Sequence, residues 1–346
     1  MVLMENPLIS VLIDTYNYGK YVEEAIESVL TQDFPAEEME VLVVDDGSTD
    51  DTAERVRKYG ERVKHFYKKN GGQASAFNYG IARARGEYVA LLDADDYWLP
   101  GKLKRVAEAF EQNPEAGLVY HAFREFVEET GEWREGSFSA VSGRLLGDRK
   151  RILQYTATQT SGLTFRTNAV RELLPQNEAI TTQADGLLAA LIVFLAPVVA
   201  IAEPLAVYRI HGKNLYYHGP EGVDEERQKR RVRISRVELT EMDAWLERKG
   251  FDLLEPSTLA FRKRWKLVLE RDEFVLEKPG RLRFFWHLVR SMSTMNPCLN
   301  WKIQLGNAFD AAGSLLVGYD GRGKLEGWRM GLQRSLFGRG AATLGR

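Results

Sequence analysis

The sequence predicts an α/β fold, a mainly parallel sheet with helices on both faces, followed by a helical C-terminal region. Three observations carry this. Strand-like and helix-like stretches alternate through residues 8–112. The strand-like stretches end in "DTYN", "DDGS", "KNGG" and "DADD", so each delivers polar residues to one rim. Beyond Gly222 apolar residues recur at helical spacing amid dense charge.

Taken in order, "LISVLI" (8–13) is a strand, and "YGKYVEEAIESVLTQ" (18–32) carries Val22, Ile26, Val29 and Leu30 at helical spacing. "MEVLVVDDGSTDDT" (39–52) runs from strand into turn, with Ser48 or Asp50 available to cap the helix "TAERVRKYG". "RVKHFYKK" (62–69) is a third strand, a glycine turn and helix follow to Gly86, and "EYVALLD" is the fourth strand. "PGKLKRVAEAF" is the next helix. Residues 116–130 then read as one or two strands and 131–153 as irregular. A strand leading into a helix is expected over 160–174, a helix in "QADGLLAALIVFL", and two short strands bent at Glu203-Pro204 over 198–212. The run "GLLAALIVFLAPVVAIA" contains Pro197, so it predicts a buried helix, a turn and a strand rather than a membrane span.

The 346 residues fit two modest domains, or one with a helical annex, and at 44% hydrophobic they support a sizeable core. The expected division is residues 1–218, with halves of about 1–115 and 116–218, followed by 219–346. One cysteine, Cys298, excludes an internal disulfide, and no Cys/His spacing suits zinc. The N-terminus has no basic stretch before its apolar run, so a signal peptide is not expected and a cytoplasmic location is. Charge is uneven: 23 Lys and Arg face 35 Asp and Glu in residues 1–225, whereas 24 face 14 in 226–346.

In parallel sheets ligands bind at the carboxyl ends of the strands. Asp93 and Asp95 stand two apart in an extended segment, so their carboxylates face one hard cation, with Asp96 beside them. The competing reading is an acidic turn capping the helix that follows. Asp45-Asp46-Gly47-Ser48 offers a carboxylate for a pyrimidine imide N–H, or a helix cap. Neither a Gly-x-Gly-x-x-Gly turn nor a P-loop occurs, which argues against a dinucleotide oxidoreductase and a P-loop NTPase.

Together "SVLIDTYNYGKYVEEAIESVLTQ", "EVLVVDDGSTDDT", "NGGQASAFNYGIARARGEYVALLDADDYWLPGKL" and, more loosely, "TQADGLLAAL" with "EPLAVYRIHGKN" resemble the inverting nucleotide-sugar glycosyltransferases of family 2. The resemblance spans about residues 7–215 and implies a GT-A fold. It implies a nucleotide-sugar donor, UDP- or dTDP-linked, and Mg²⁺ or Mn²⁺ held by Asp95, with Asp93 at the ribose or metal. It places Thr15, Tyr16, Asn17, Asp46 and Asn70 around the nucleotide, His211 near the metal or diphosphate, and Arg209 and Lys213 near phosphate oxygens. Asp185 stands where such enzymes supply the general base from an acidic pair, of which Ala184 has lost one member; Glu178 and Glu203 compete for the role. The chain departs from the pattern with Asp14 in place of a proline and Phe77 in place of an arginine. Processive members carry Gln-x-x-Arg-Trp; here Phe261 precedes Arg264-Trp265, so addition of one sugar per encounter is expected.

The acceptor implied is a glycan or lipid-linked hydroxyl of a surface polysaccharide. Phe284, Phe285, Trp286, Trp301, Trp328 and Phe337 alternate with Lys and Arg in the C-terminal region. That pattern reads as peripheral contact with the inner face of a membrane, as an oligomer interface or lid, or as a bundle packing its own aromatics. No nucleic-acid-binding module accompanies the charge. A sugar-nucleotide-binding scaffold without catalysis, and a nucleotidyltransferase, are the alternatives.

Overall fold

A computed structural model describes residues 6–212, 214 and 225–277. Lys213, Cys298 and the aromatic and basic residues from 280 onward lie outside the described residues.

The elements run β1 (Ile9–Thr15), α1 (Gly19–Leu30), β2 (Met39–Asp45), α2 (Thr52–Arg57), β3 (Lys64–Tyr67), α3 (Gln73–Arg83), β4 (Tyr88–Asp93), β5 (Tyr97–Trp98) and α4 (Lys102–Gln112). The second half adds β6 (Leu118–Val127), β7 (Glu132–Glu135), α5 (Arg149–Gln154), β8 (Leu163–Arg166), α6 (Thr167–Arg171), α7 (Ala184–Leu195) and β9 (Val198–Ile210). Two long helices follow, α8 (Glu225–Arg248) and α9 (Pro256–Leu276).

The strands join one sheet in the order β3-β2-β1-β4-β8-β6-β9-β5, with β7 paired to β6. β3, β2, β1 and β4 are parallel, while β8 runs antiparallel to both β4 and β6. Alternation along the strands builds the two faces. Ile9, Val11 and Ile13 pack with Val22, Ile26 and Val29 of α1 and Val106 and Phe110 of α4. On the opposite face Leu12 meets α3 at Gly80, where a Cβ would stand 2.4 Å from a Leu12 methyl, so only glycine admits that approach. The apolar run around Pro197 divides as expected into α7 and β9, and no described helix is long and apolar enough to cross a membrane.

Two details differ from expectation. β7 and α5 lie within the stretch predicted to be irregular. The two short strands expected over 198–212 are one, because register shifts beside Ala122↔Pro204 absorb the proline and let pairing with β6 resume. At α2 the structure chooses between the two expected caps: Asp50 takes the Thr52 N–H, at 3.0 Å, and Ser48 accepts the Asn17 N–H at 2.8 Å.

Compact packing divides the chain into two units. The first holds the sheet and Thr240–Thr258, where Trp245 donates to the Glu172 carbonyl and Lys249 pairs with Glu172. In the second, α8 and α9 are joined by Arg231–Asp272 and Arg236–Glu273 ion pairs, each 2.7 Å.

Candidate active site

Residues 93–96 leave β4 as a tight turn, closed by the Asp96 N–H donating to the Asp93 carbonyl at 3.0 Å. Carboxylate oxygens of Asp93, Asp95 and Asp96 lie within 4.8 Å of one another. The helix after this turn is capped by Gly101 with no side-chain bond, so the acids do not serve α4.

Each acid is held by a different element. Asp96 is buried, accepting from the Arg209 N–H at 2.9 Å and the Ser161 hydroxyl at 2.6 Å. The same hydroxyl accepts the Asp93 N–H at 3.2 Å. Asp95 Oδ2 lies 3.0 Å from His211 Nε2, and the Tyr18 hydroxyl donates to Asp95. His211 is fixed in turn by stacking on Tyr21 at 4.8 Å between ring centroids. Asp93 accepts from Gln73 Nε2 at 3.3 Å and shares a hydrogen bond with the Asp14 carboxyl, its neighbour across the sheet.

Burial first, and then neighbouring negative charge, push the Asp93 and Asp96 carboxyls well above the ordinary carboxylate range. Burial likewise raises Asp14 to about 7, and its bond to Asp93 offsets part of that rise. Such a cluster is costly without a cation, and its oxygen donors with one imidazole suit a hard divalent ion. A spread of 4.8 Å is little more than twice a Mg–O bond of about 2.1 Å, so small side-chain movements bring the oxygens onto one ion. Mg²⁺ or Mn²⁺ therefore fits the residues present.

Asp185 lies in the first turn of α7, half-buried, close enough to Asp14 and Asp93 for its charge to act on both. Burial raises its carboxyl, against hydrogen bonds from the Gly186 N–H and the Thr160 side chain. The competing Glu203 is exposed and pairs with Arg105 at 3.1 Å, and Glu178 is exposed.

The other predicted residues divide into two groups. Tyr16 and Asn70 are exposed at the rim. Thr15, Asn17 and Asp46 are engaged within the chain: the Thr15 carbonyl accepts the Asp46 N–H, and Asn17 Oδ1 accepts the Thr49 N–H at 2.8 Å. Asp46 is buried, ion-paired to Lys68, and accepts from Gly71 N–H at 3.0 Å and Gly72 N–H at 2.7 Å. Arg209, expected near phosphates, instead donates to the Asp95 carbonyl at 3.0 Å and pairs with Glu24, because burial against Tyr21 and Tyr97 turns it inward. Asn17 and Gln183 are the non-glycine residues with positive φ among those described, at 59° and 65°, and both flank the site.

Sequence reasoning missed Ser161, Tyr18 and Gln73. Ser161 and Tyr18 carry no motif signal. Gln73 was legible only as the polar residue opening a helix after two glycines.

Residues 10–174 match the model of glycosyl transferase family 2. An uncharacterized glycosyltransferase of Nostoc sp. is 33% identical over 236 residues, 65% of this chain and 72% of that protein. Among solved structures, Staphylococcus aureus TarS 1-349 in complex with UDP-GlcNAc superposes with TM-score 0.58 at 21% identity, over 93% of this chain and 92% of that 1-349 chain. The mannosyltransferase PcManGT of Pyrobaculum calidifontis, in complex with GDP-Man and Mn²⁺, does so with TM-score 0.54 at 19% identity, over 97% and 89%. These likenesses support the GT-A fold. On the identity and coverage of the Nostoc relative, the matched family model and the fold, the chain is a glycosyltransferase that belongs to family 2.

Proposed function

We infer that the chain moves one sugar from a UDP- or dTDP-sugar to a hydroxyl of a glycan or lipid-linked acceptor, with inversion at the anomeric carbon. The observation that carries this reading is the convergence of Asp93, Asp95, Asp96 and Asp185 on one rim, close enough that the charges of the other three add to the cost of ionising Asp93. TarS holding UDP-GlcNAc, and PcManGT holding GDP-Man with Mn²⁺, lend support from the same fold.

Asp95, with His211 and Asp93 beside it, would hold Mg²⁺ or Mn²⁺, whose charge stabilises the departing diphosphate. Tyr16 and Asn70 line the nucleotide's place on the exposed rim. Asp46 acts there through the loop it anchors. Asp185 takes the proton of the acceptor hydroxyl as that oxygen bonds to the anomeric carbon and the bond from that carbon to the diphosphate oxygen breaks. In this reading residues 1–218 carry the chemistry, in the cytoplasm, in surface polysaccharide synthesis.

Calorimetric titration of UDP, dTDP, GDP and CDP, each with Mn²⁺ and with EDTA, tests it on wild type and Asp95→Ala. Binding of UDP or dTDP that needs Mn²⁺, and weakens at least about 100-fold in Asp95→Ala, is expected. Equal binding with EDTA removes the metal role, and no binding of any nucleotide removes the transferase reading.

A further inference from the structure

We propose that Gln73 is a positioning residue that couples the donor site to the placement of Asp185; this rests on the transferase reading above. Its side chain spans two elements that do not otherwise share a hydrogen bond among the described residues. Nε2 donates to Asp93 Oδ1 at 3.3 Å, and Oε1 accepts the N–H of Ala184, the first residue of α7, at 3.0 Å. The first N–H groups of a helix have no partner within it, so Gln73 supplies α7 with a cap from another element. Asp185 is the next residue along.

The chemistry fixes the orientation of this amide. Reversed, it would set oxygen against carboxylate oxygen and N–H against N–H. The backbone makes the contact reciprocal: Gln73 N–H donates to the Thr181 carbonyl at 3.0 Å and Ala74 N–H to the Ile180 carbonyl at 3.3 Å. Thus the start of α3 is capped by the segment leading into α7, and the start of α7 is capped by α3. Gly72, at φ 84°, lets the two segments close, since a Cβ there would stand 2.6 Å from Thr181 Cα. Behind the loop, Asp46 holds Gly71 and Gly72 by their amides. A continuous run of bonds therefore links the end of β2, the loop, Asp93 and the helix that carries Asp185. Any shift of Asp93 on donor binding is felt at the α7 N-terminus through one side chain.

Two variants separate the two ends of the bridge. Gln73→Met keeps the volume and loses both bonds. Gln73→Glu keeps an acceptor for Ala184 and sets a second carboxylate against Asp93. Hydrogen–deuterium exchange of the full chain is followed in the peptide covering residues 181–187, with and without UDP and Mn²⁺, alongside kcat and donor KM. In wild type, nucleotide with Mn²⁺ slows exchange of that peptide. In Gln73→Met exchange rises about threefold to tenfold, the nucleotide no longer slows it, and kcat falls at least about tenfold with donor KM little changed. In Gln73→Glu the peptide stays protected while donor KM rises. Wild-type exchange and kcat in both variants, with wild type active, overturn the coupling alone. Failure of wild type to bind nucleotide overturns the transferase reading and takes this inference down with it.

Discussion

The two halves of the sheet bury polar groups to different ends. In the half built on β1 to β4, which the proposed function assigns to the donor, the costly groups stand at the strand ends: Asp14, Asp93 and Asp96 are crowded together where a cation and a diphosphate would repay their burial. From β5 onward, polar groups sit inside. Lys102, the first residue of α4, is fully buried with its ammonium 3.2 Å from the Trp98 ring centroid and no hydrogen-bond partner. His121 of β6 is also fully buried, donating from Nδ1 to the Ala122 carbonyl while Nε2 has no hydrogen-bond partner. The difference separates strain held for a ligand from strain held by the fold. Removing the first kind costs activity, and removing the second changes stability.

The sharpest way to break this contrast is Asp185→Asn. The two side chains are nearly isosteric, and an amide at this position still accepts hydrogen bonds from Gly186 and Thr160. Loss of kcat by about 10²- to 10⁴-fold with donor affinity intact is expected, since on the proposed function only the proton acceptor is gone. Single-turnover kinetics beside calorimetry measure both. In wild type the base must be ionised, and burial raises its carboxyl above 3.8, so the acid limb of kcat/KM lies above that value. Retained turnover in Asp185→Asn would move the base elsewhere and end the argument from the shared rim.

The donor half was legible in the sequence because its signals are local. Each strand precedes its own helix, so β1 to β4 and their acidic ends were read from periodicity and turn residues alone. The rest of the sheet is joined by long-range pairs. β9 crosses Pro204 as a single strand because its partner β6 is already in place, and no window of sequence reports that. β7 is likewise a strand only because residues 124–127 of β6 lie beside it. Side-chain direction was hidden for the same reason. Arg209 resembled a phosphate ligand, yet it holds the Asp95 carbonyl. The bridge made by Gln73 was hidden because its two partners lie 20 and 111 residues away.

Lys102→Met sharpens the contrast from the other side. Methionine fills similar volume against Trp98 and carries no charge to desolvate. Burial pushes the lysine amine well below 10.5, so the folded chain resists a proton that the unfolded chain accepts. The penalty therefore grows as pH falls from 10.5 toward the folded value. Stabilisation of roughly 1–4 kcal/mol at pH 7, smaller at pH 9, is expected from urea unfolding, with nucleotide affinity unchanged. Destabilisation at both pH values would mean that the ammonium's contact with Trp98 outweighs its burial.

The smallest expected effect concerns His121. Burial, and then the nearby charge of Lys102, push its imidazole down to about 3 from 6.5. The unfolded chain takes up a proton below pH 6.5 that the folded chain refuses until about pH 3, so native stability falls across that window. One such group contributes about 1.4 kcal/mol per pH unit, or about 2 kcal/mol between pH 6.5 and 5. His121→Gln keeps a polar side chain but cannot titrate, so its unfolding free energy should fall less than that of wild type over the same interval, by about that amount. The carboxyls of the donor half act in the opposite sense: those raised by burial bind protons more readily when folded, and acid favours them. Equal slopes in wild type and His121→Gln would mean that His121 contributes nothing to the pH response and that its burial does not hold it neutral.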